Sequence, residues 1–157
     1  MSFGDAIGEC FFNYANFKDR AARAEYWWWV LFATIVLLIA LALDFLIFRN
    51  WSVGPFYVVF GLASLLPGFS VTVRRLHDTG RSGWWLAIPV VLAVAVSVIT
   101  IAGVITHGNE QPSMGLLLVI GLLFILLLAS SILLLVWMAL PSVPGNNAYG
   151  PNRYAGD

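Results

Sequence analysis

A dense group of ionisable residues lies between two long apolar runs in the middle of this chain. Residues 74–85 read RRLHDTGRSGWW, which places three arginines, one histidine and one aspartate within eight positions. Only 10% of the residues in the whole chain are charged. Guanidinium groups form paired hydrogen bonds with phosphate or carboxylate, and an imidazole exchanges protons near neutral pH. The residue types therefore suit anion binding or acid–base chemistry.

Four interpretations of this segment follow from its chemistry. In the first, the charged groups are structural and lock the neighbouring helices together. In the second, the arginines recognise an anionic lipid headgroup or an acidic segment of a partner protein. In the third, His77 is the general base of a lipid-phosphate enzyme, although His77 and Asp78 are adjacent and would point in different directions on a helix. In the fourth, the chain is an oligomeric transporter of small solutes or ions.

The apolar runs carry few groups that could do chemistry. Their centres contain no ionisable residue, whereas ion-coupled carriers keep polar or interrupted helices at the bilayer midplane, and Pro67-Gly68 is the one such interruption here. His77 and His107 are predicted on opposite sides of the membrane, and Cys10 is the single cysteine. We therefore predict no metal, no cofactor and no catalytic residue. Enzymatic activity is left undecided, with a non-catalytic role favoured.

The elements that position these residues are predicted to be membrane-spanning helices. Of the 157 residues, 61% are hydrophobic, and the mean hydropathy is +0.88. A soluble domain is about 45–50% apolar, and a spanning helix needs about 20 apolar residues. Residues 1–157 are therefore predicted to form a single all-α membrane domain. Its four transmembrane helices are expected over about residues 27–48, 55–75, 84–106 and 114–140.

An amphipathic helix at the membrane interface is predicted over residues 2–17, before the first span. Ser2 and Asp5 have the spacing of a capping box. At 100° per residue, one face collects the apolar side chains of Phe3, Ile7, Cys10, Phe11, Tyr14 and Phe17. The pattern leaves open whether this face meets lipid or packs on the protein's own spans.

Two residues inside the predicted spans need a structural explanation. Asp44 lies near the outer end of the first span, where an interfacial carboxylate within reach of Arg49 is favoured over a proton or ion site. Pro67 is expected to bend the second span, because proline removes a backbone donor and clashes with the preceding turn.

Positive charge predicts how the chain is threaded. The N-terminal segment, the central turn and the tail together carry seven cationic residues, namely Lys18, Arg20, Arg23, Arg74, Arg75, Arg81 and Arg153. The opposite side carries Arg49 alone. The positive-inside rule therefore places both termini in the cytoplasm, with residues 141–157 as a cytoplasmic tail.

Three motifs give the chain a resemblance to a known family. Residues 17–27 (FKDRAARAEYW), 74–85 and 147–152 (NAYGPN) resemble, in order, the signatures of the domain-of-unknown-function 805 family of small bacterial inner-membrane proteins. The resemblance covers about residues 10–154, with Asp19 and Ala24 in place of an expected Gly and Ser. It implies a location in the bacterial plasma membrane and implies no activity.

All three motifs fall on the predicted cytoplasmic side, so we predict that they assemble into one binding site for lipid or a partner. The second span is expected to continue past Arg75 to Gly80, which would place Arg74, Asp78 and Arg81 along one helix at positions i, i+4 and i+7. Glu25, Arg74, Asp78 and Arg81 would form the centre, covered by Tyr149 and Asn152. The full set of candidate residues is Arg20, Arg23, Glu25, Arg74, Arg75, His77, Asp78, Arg81, Tyr149 and Asn152.

The predicted partners follow from this placement. They are the lipid bilayer, through anionic phospholipid headgroups, and alternatively a membrane-protein partner or a second copy of the chain. The formal net charge of zero gives no general attraction to nucleic acid, which is excluded as a partner.

Overall fold

The computed structural model describes residues 1–48, 54–108 and 111–152. Four of its helical segments are long and apolar enough to cross a membrane. The helices are α1 (Phe3–Phe12), α2 (Arg23–Ile47), α3 (Pro55–Asp78), α4 (Ala87–His107) and α5 (Met114–Ala139), with a 3-10 turn at Gly83–Leu86. The predicted fold, four transmembrane helices preceded by an amphipathic N-terminal helix, is confirmed, but the N-terminal helix ends at Phe12 and not at residue 17, because the Ser70 hydroxyl and neighbouring side chains bond the backbone of the following turn.

The chain forms two compact units. The first unit consists of Met1–Gly83 together with the chain from Leu140 onward, and it contains α1, α2, α3 and the charged segment. The second unit, Trp84–Ala139, contains α4 and α5.

The N-terminal helix packs on the protein's own spans. It begins with the predicted capping box, in which Ser2 Oγ accepts a hydrogen bond from the Asp5 amide at 3.2 Å and Asp5 Oδ2 accepts one from the Ser2 amide at 3.1 Å. The Ser2 hydroxyl also donates to Asp5 Oδ2 at 2.6 Å, and this bond, followed by the one from the Ser2 amide, lowers the pKa of the Asp5 carboxyl because both stabilise its ionised form. Ala6 and Cys10 are fully buried, and α1 contacts both α2 and α3. This helix therefore packs on the spans through Ala6 and Cys10, while Phe3 and Phe11 of the predicted apolar face are 42% and 48% exposed, and their contact with lipid stays a prediction.

Asp44 fastens the end of α2 to the beginning of α3. Its carboxylate accepts hydrogen bonds from the backbone amides of Phe56, at 3.1 Å, and Tyr57, at 2.8 Å. Only 1% of Asp44 is exposed, and Gly54 lies so close that a Cβ there would collide with the carboxylate. Asp44 therefore acts as the side-chain cap of α3, where the helix dipole favours a negative charge. Arg49, its predicted partner, lies outside the described residues.

Pro67 lies inside α3, and the helix continues through it. Proline has no N–H, so the carbonyl of Ala63, four residues earlier, loses its helical donor. The Tyr14 hydroxyl donates a hydrogen bond to this carbonyl at 2.6 Å. The N-terminal segment thus satisfies the acceptor that the proline leaves open. The bend predicted at Pro67 stays a prediction.

In the second unit, α4 and α5 pack against each other in opposite directions. The rings of Trp85 and Trp137 meet at 5.2 Å near one end of the pair. Gly103 approaches Leu116 near the other end, so closely that an added Cβ would lie 2.9 Å from a leucine methyl group. An apolar groove of about 670 Å³ lies between the helices and is lined by Ala87, Ile88, Val91, Leu92, Leu126, Ala129, Ser130 and Leu133.

Candidate functional site

The charged segment, residues 74–85, contains the last residues of α3 and the turn that follows them. The Arg81 amide donates to the carbonyl of Leu76 at 2.9 Å, and the Gly80 amide donates to the carbonyl of His77 at 3.0 Å. Gly80 has a φ of +74°, which completes the Schellman pattern that ends a helix. The helix therefore stops at Asp78, and the chain turns away at Gly80.

This turn corrects one expectation drawn from spacing. Arg74, Asp78 and Arg81 do not form a continuous row, because Arg81 lies beyond the left-handed glycine. Its guanidinium instead donates to the carbonyl of Thr79 at 3.0 Å, and the side chain is half-buried.

Asp78 is the centre of a buried ion-paired group. Arg20 Nε lies 2.8 Å from its Oδ1, while Oδ2 accepts hydrogen bonds from Arg75 Nη1 and, at 2.5 Å, from Ser142 Oγ. Asp78 and Arg75 are completely buried, and Arg20 is 4% exposed. We call Arg20, Arg75 and Asp78 the Asp78 group. Two guanidinium groups face one carboxylate in it, so it carries one positive charge in excess.

A second ion pair lies between α2 and α3. Arg74 Nη1 is 2.6 Å from Glu25 Oε1, and both side chains are buried. Arg74 Nε also donates to Ser70 Oγ, while the Cys10 thiol of α1 donates to Glu25 Oε1 at 3.8 Å. Burial, followed by the charge of Glu25, raises the pKa of Cys10 to about 12. This pair therefore joins all three helices of the first unit.

The second pair leaves two charged atoms unsatisfied. Glu25 Oε2 and Arg74 Nη2 are buried, and neither has a hydrogen-bond partner in the described part of the chain. Buried polar atoms normally find a partner, often an ordered water.

The segment after α1 is bound to α3 by backbone groups. Ser70 Oγ lies 2.8 Å from the carbonyl of Asn13 and 2.7 Å from that of Asn16. The Ala21 amide donates to the carbonyl of Arg74 at 3.1 Å. The chain that supplies Arg20 is therefore fixed along the C-terminal half of α3.

His77 is enclosed rather than presented to a substrate. Its ring stacks on Tyr149, with centroids 3.9 Å apart and planes 2° from parallel. His77 Nδ1 lies 3.3 Å from the carbonyl oxygen of Asp19, so the tautomer protonated at Nδ1 donates to it. Only 7% of His77 is exposed.

The structure brings most of the ten candidate residues together, but in several separate groups. Arg20, Arg75 and Asp78 form one group, Glu25 and Arg74 form another, and His77 stacks on Tyr149. Arg23 and Arg81 are half-buried beside them, and Asn152 Nδ2 lies 3.5 Å from the carbonyl of Val143. Their role in binding stays a prediction.

Sequence reasoning missed three residues that complete these groups. Ser70 lies one turn before Arg74 on the same helix, so its position inside an apolar run was a usable signal. Ser142 lies between two prolines, and nothing local indicates that it bonds a residue 64 positions earlier. Cys10 was assigned to an apolar face, but its contact with Glu25 required the tertiary structure.

This chain has relatives among known proteins, but no solved structure matches it. A family model described as "Protein of unknown function (DUF805)" matches residues 14–151. Inner membrane protein YhaH of Escherichia coli K12 is 39% identical over 75 residues, covering 46% of this chain and 62% of YhaH. Inner membrane protein YhaI of the same strain is 37% identical over 73 residues, covering 46% of this chain and 60% of YhaI.

A further relative, the uncharacterized protein YiiR of E. coli K12, is 37% identical over 78 residues, covering 48% of this chain and 50% of YiiR. The chain thus spans less than two thirds of the length of the relatives that it matches. YhaH and YhaI are named inner membrane proteins, and the described part of this chain has four helices of spanning length. These two findings support the predicted location in the inner membrane. The orientation of the termini stays a prediction.

Proposed function

We propose a binding role without catalysis for this chain, which belongs to the DUF805 family of proteins of unknown function. Its cytoplasmic face binds anionic phospholipid headgroups. The buried ion pairs hold that face together, and cationic side chains around them meet the lipid.

The orientation in this proposal comes from charge. Seven lysines and arginines lie on the side of both termini and of the central turn, against Arg49 alone on the other side. The positive-inside rule places the more positive side in the cytoplasm.

One observation carries the assignment of lipid as the ligand. Arg23 is the first residue of α2, and Trp27 lies one turn further along the same face. Trp27 and Trp28 are exposed, and Lys18 in the preceding segment is exposed as well. Cations beside exposed indole rings at the end of an apolar helix are typical of the headgroup layer.

The candidate cationic residues have two different roles, which follow from how far each side chain is buried. Arg20, Arg74 and Arg75 are at most 4% exposed and are engaged with carboxylates, so they support the fold. With the chain after α5 bonded to Arg20 as in this structure, direct lipid contact is open to Lys18 and Arg23, with Arg81 at the edge.

The alternative functions have weaker support. An enzyme using His77 would need its ring to face a substrate, whereas the ring is covered by Tyr149. A transporter would use an interrupted helix with free backbone groups, whereas the carbonyl opened by Pro67 is bonded by Tyr14.

Titration with phosphatidylglycerol, followed by native mass spectrometry in neutral detergent, tests the proposal. Each cation near an anionic surface contributes about 1 kcal/mol, so Lys18→Ala combined with Arg23→Ala should weaken binding by about thirtyfold at low salt. Arg49→Ala removes a cation from the opposite side and should leave the affinity unchanged.

Equal affinity of the double variant and the wild type would refute lipid binding through these residues. A protein that co-purifies with the wild type and is lost from the double variant would favour a partner protein instead.

A further inference from the structure

The chain after α5 covers the Asp78 group without forming a helix. We call residues 140–152 the strap. Its described contacts include the Val143 amide, which donates to the Asp78 carbonyl at 3.1 Å, and Asn147 Nδ2, which donates to the His77 carbonyl at 2.9 Å. Within the strap, only an isolated bridge between Asn147 and Gly150 gives regular backbone pairing.

The strap is held by polar contacts and by one ring stack. All of its residues are described, and each is half-buried or exposed, so the strap buries no complete apolar side chain. The tight contacts are the hydrogen bonds to α3 and to Arg20, and the stack of Tyr149 on His77. Apolar burial therefore contributes little to holding the strap, and its position depends on polar contacts for which an anion can compete.

The strap also supplies the acceptors for the excess positive charge of the Asp78 group. Arg20 Nη2 donates to the carbonyl of Val143 at 2.7 Å, and Arg20 Nη1 donates to the carbonyl of Gly145 at 2.8 Å. Arg75 Nη2 donates to the carbonyl of Leu140. These oxygens carry only partial charges, whereas a phosphate carries full negative charge and can engage both Nη atoms of one guanidinium in a bidentate pair.

The two strap carbonyls occupy the edge of Arg20 at which guanidinium binds phosphate. The Nη1 and Nη2 atoms of one arginine form a fork that matches two oxygens of a phosphate group. Arg20 Nε is already engaged with Asp78, so this fork is the side of Arg20 that an anion would use.

We propose that the strap is a displaceable cover, and that a negatively charged phosphate group takes the place of its carbonyl oxygens on Arg20. The phosphate would neutralise the excess charge that the carbonyls only solvate. This inference rests on the proposed binding of anionic headgroups at the same face and adds its regulation. Lys18 and Arg23 attract the headgroup, and Arg20 can bind it only when the strap has moved away from the Nη atoms of Arg20.

The position of the strap is measurable in the full chain. Ala148 in the strap and Ala15 in the segment after α1 are both exposed, so spin labels on cysteines at these positions report their separation in a Cys10→Ala background. The distance distribution is compared in phosphatidylcholine nanodiscs, in nanodiscs that also contain phosphatidylglycerol, and in phosphatidylcholine nanodiscs with inorganic phosphate.

A longer and broader distribution with phosphatidylglycerol alone supports the inference and identifies a lipid headgroup as the ligand. The same change with inorganic phosphate also supports it and identifies free phosphate. An unchanged distribution in both arms overturns it. If phosphatidylglycerol binding still depends on Lys18 and Arg23 in that case, the proposed function stands while the strap inference fails.

A substitution in the strap gives an independent check. Tyr149→Ala removes the stack on His77 and should increase the open fraction in neutral nanodiscs, with phosphatidylglycerol affinity rising several-fold because less opening is required. Asn146→Ala changes an exposed strap residue and serves as the matched control. An affinity that falls in Tyr149→Ala would show that the strap contributes to binding rather than competing with it.

Discussion

The contribution of the hydrogen bond from Tyr14 to the carbonyl of Ala63 to the stability of the protein can be predicted and tested. Tyr14→Phe removes the hydroxyl that lies 2.6 Å from this carbonyl and leaves the acceptor open, because Pro67 offers no N–H. The hydrogen bond lies on the exposed side of the structure, where a bilayer would offer no water to replace the lost donor. Side-chain hydrogen bonds between membrane helices contribute about 0.6–1.7 kcal/mol, so we expect Tyr14→Phe to lower the free energy of unfolding by about 1 kcal/mol.

A second substitution isolates the proline from other effects of Tyr14. In Pro67→Ala, the amide of residue 67 can donate to the carbonyl of Ala63 as in any α-helix. Tyr14→Phe should then cost less than about 0.5 kcal/mol in that background, since the carbonyl keeps a partner. The coupling energy in the double-mutant cycle is expected to be about 1 kcal/mol.

Reversible unfolding with sodium dodecyl sulfate in mixed micelles measures all four free energies. Tyr57→Phe is the control, because it removes a tyrosine hydroxyl from α3 itself. It is expected to shift the free energy of unfolding by less than about 0.5 kcal/mol. Additive effects of Tyr14→Phe and Pro67→Ala, within about 0.3 kcal/mol, would refute the idea that the tyrosine compensates for the proline.

Two further predictions concern Cys10 and Asp44. Because the pKa of Cys10 is raised from 9.0 to about 12, the folded protein should react slowly with maleimide at pH 8, and detergent-unfolded protein should react quickly. The thiol's contribution to stability is complete below pH 9 and is lost as the pH rises towards 12; labelling of the folded protein at the ordinary rate would contradict this. Asp44→Ala should cost about 1–2 kcal/mol in the same unfolding assay, and Asp44→Asn somewhat less, since the asparagine oxygen still accepts from one of the two backbone amides while its NH2 group cannot accept from the other. Equal losses in the two variants would argue against a capping role.

The membrane-spanning helices and the beginning of the N-terminal helix were predictable from local patterns. Apolar runs between charged residues locate α2 to α5, because crossing a bilayer demands a minimum apolar length. The capping box at Ser2 and Asp5 was equally readable, because both of its hydrogen bonds lie within one turn. Such features depend on residues only a few positions apart.

The partners of the charged residues were not predictable in the same way. Spacing suggested a row of Arg74, Asp78 and Arg81, but Asp78 pairs with Arg20, 58 positions away. For Asp44 only Arg49 was named as a partner, which lies outside the described residues, and the two backbone amides of α3 that its carboxylate caps were not anticipated. Contacts between distant segments depend on how the chain folds back, and spacing along one helix carries no information about that.

The segment between α1 and α2 supplies polar partners to the C-terminal half of α3. Three features of that half that are unfavourable in an apolar environment have a partner there: the carbonyl opened by Pro67 bonds Tyr14, the Ser70 hydroxyl meets the carbonyls of Asn13 and Asn16, and Asp78 pairs with Arg20. The family match, which begins at residue 14, includes all but the first residue of these contacts. Since α3 alone would leave those groups unsatisfied, the segment and the helix depend on each other, and neither of them balances the excess charge of the Asp78 group.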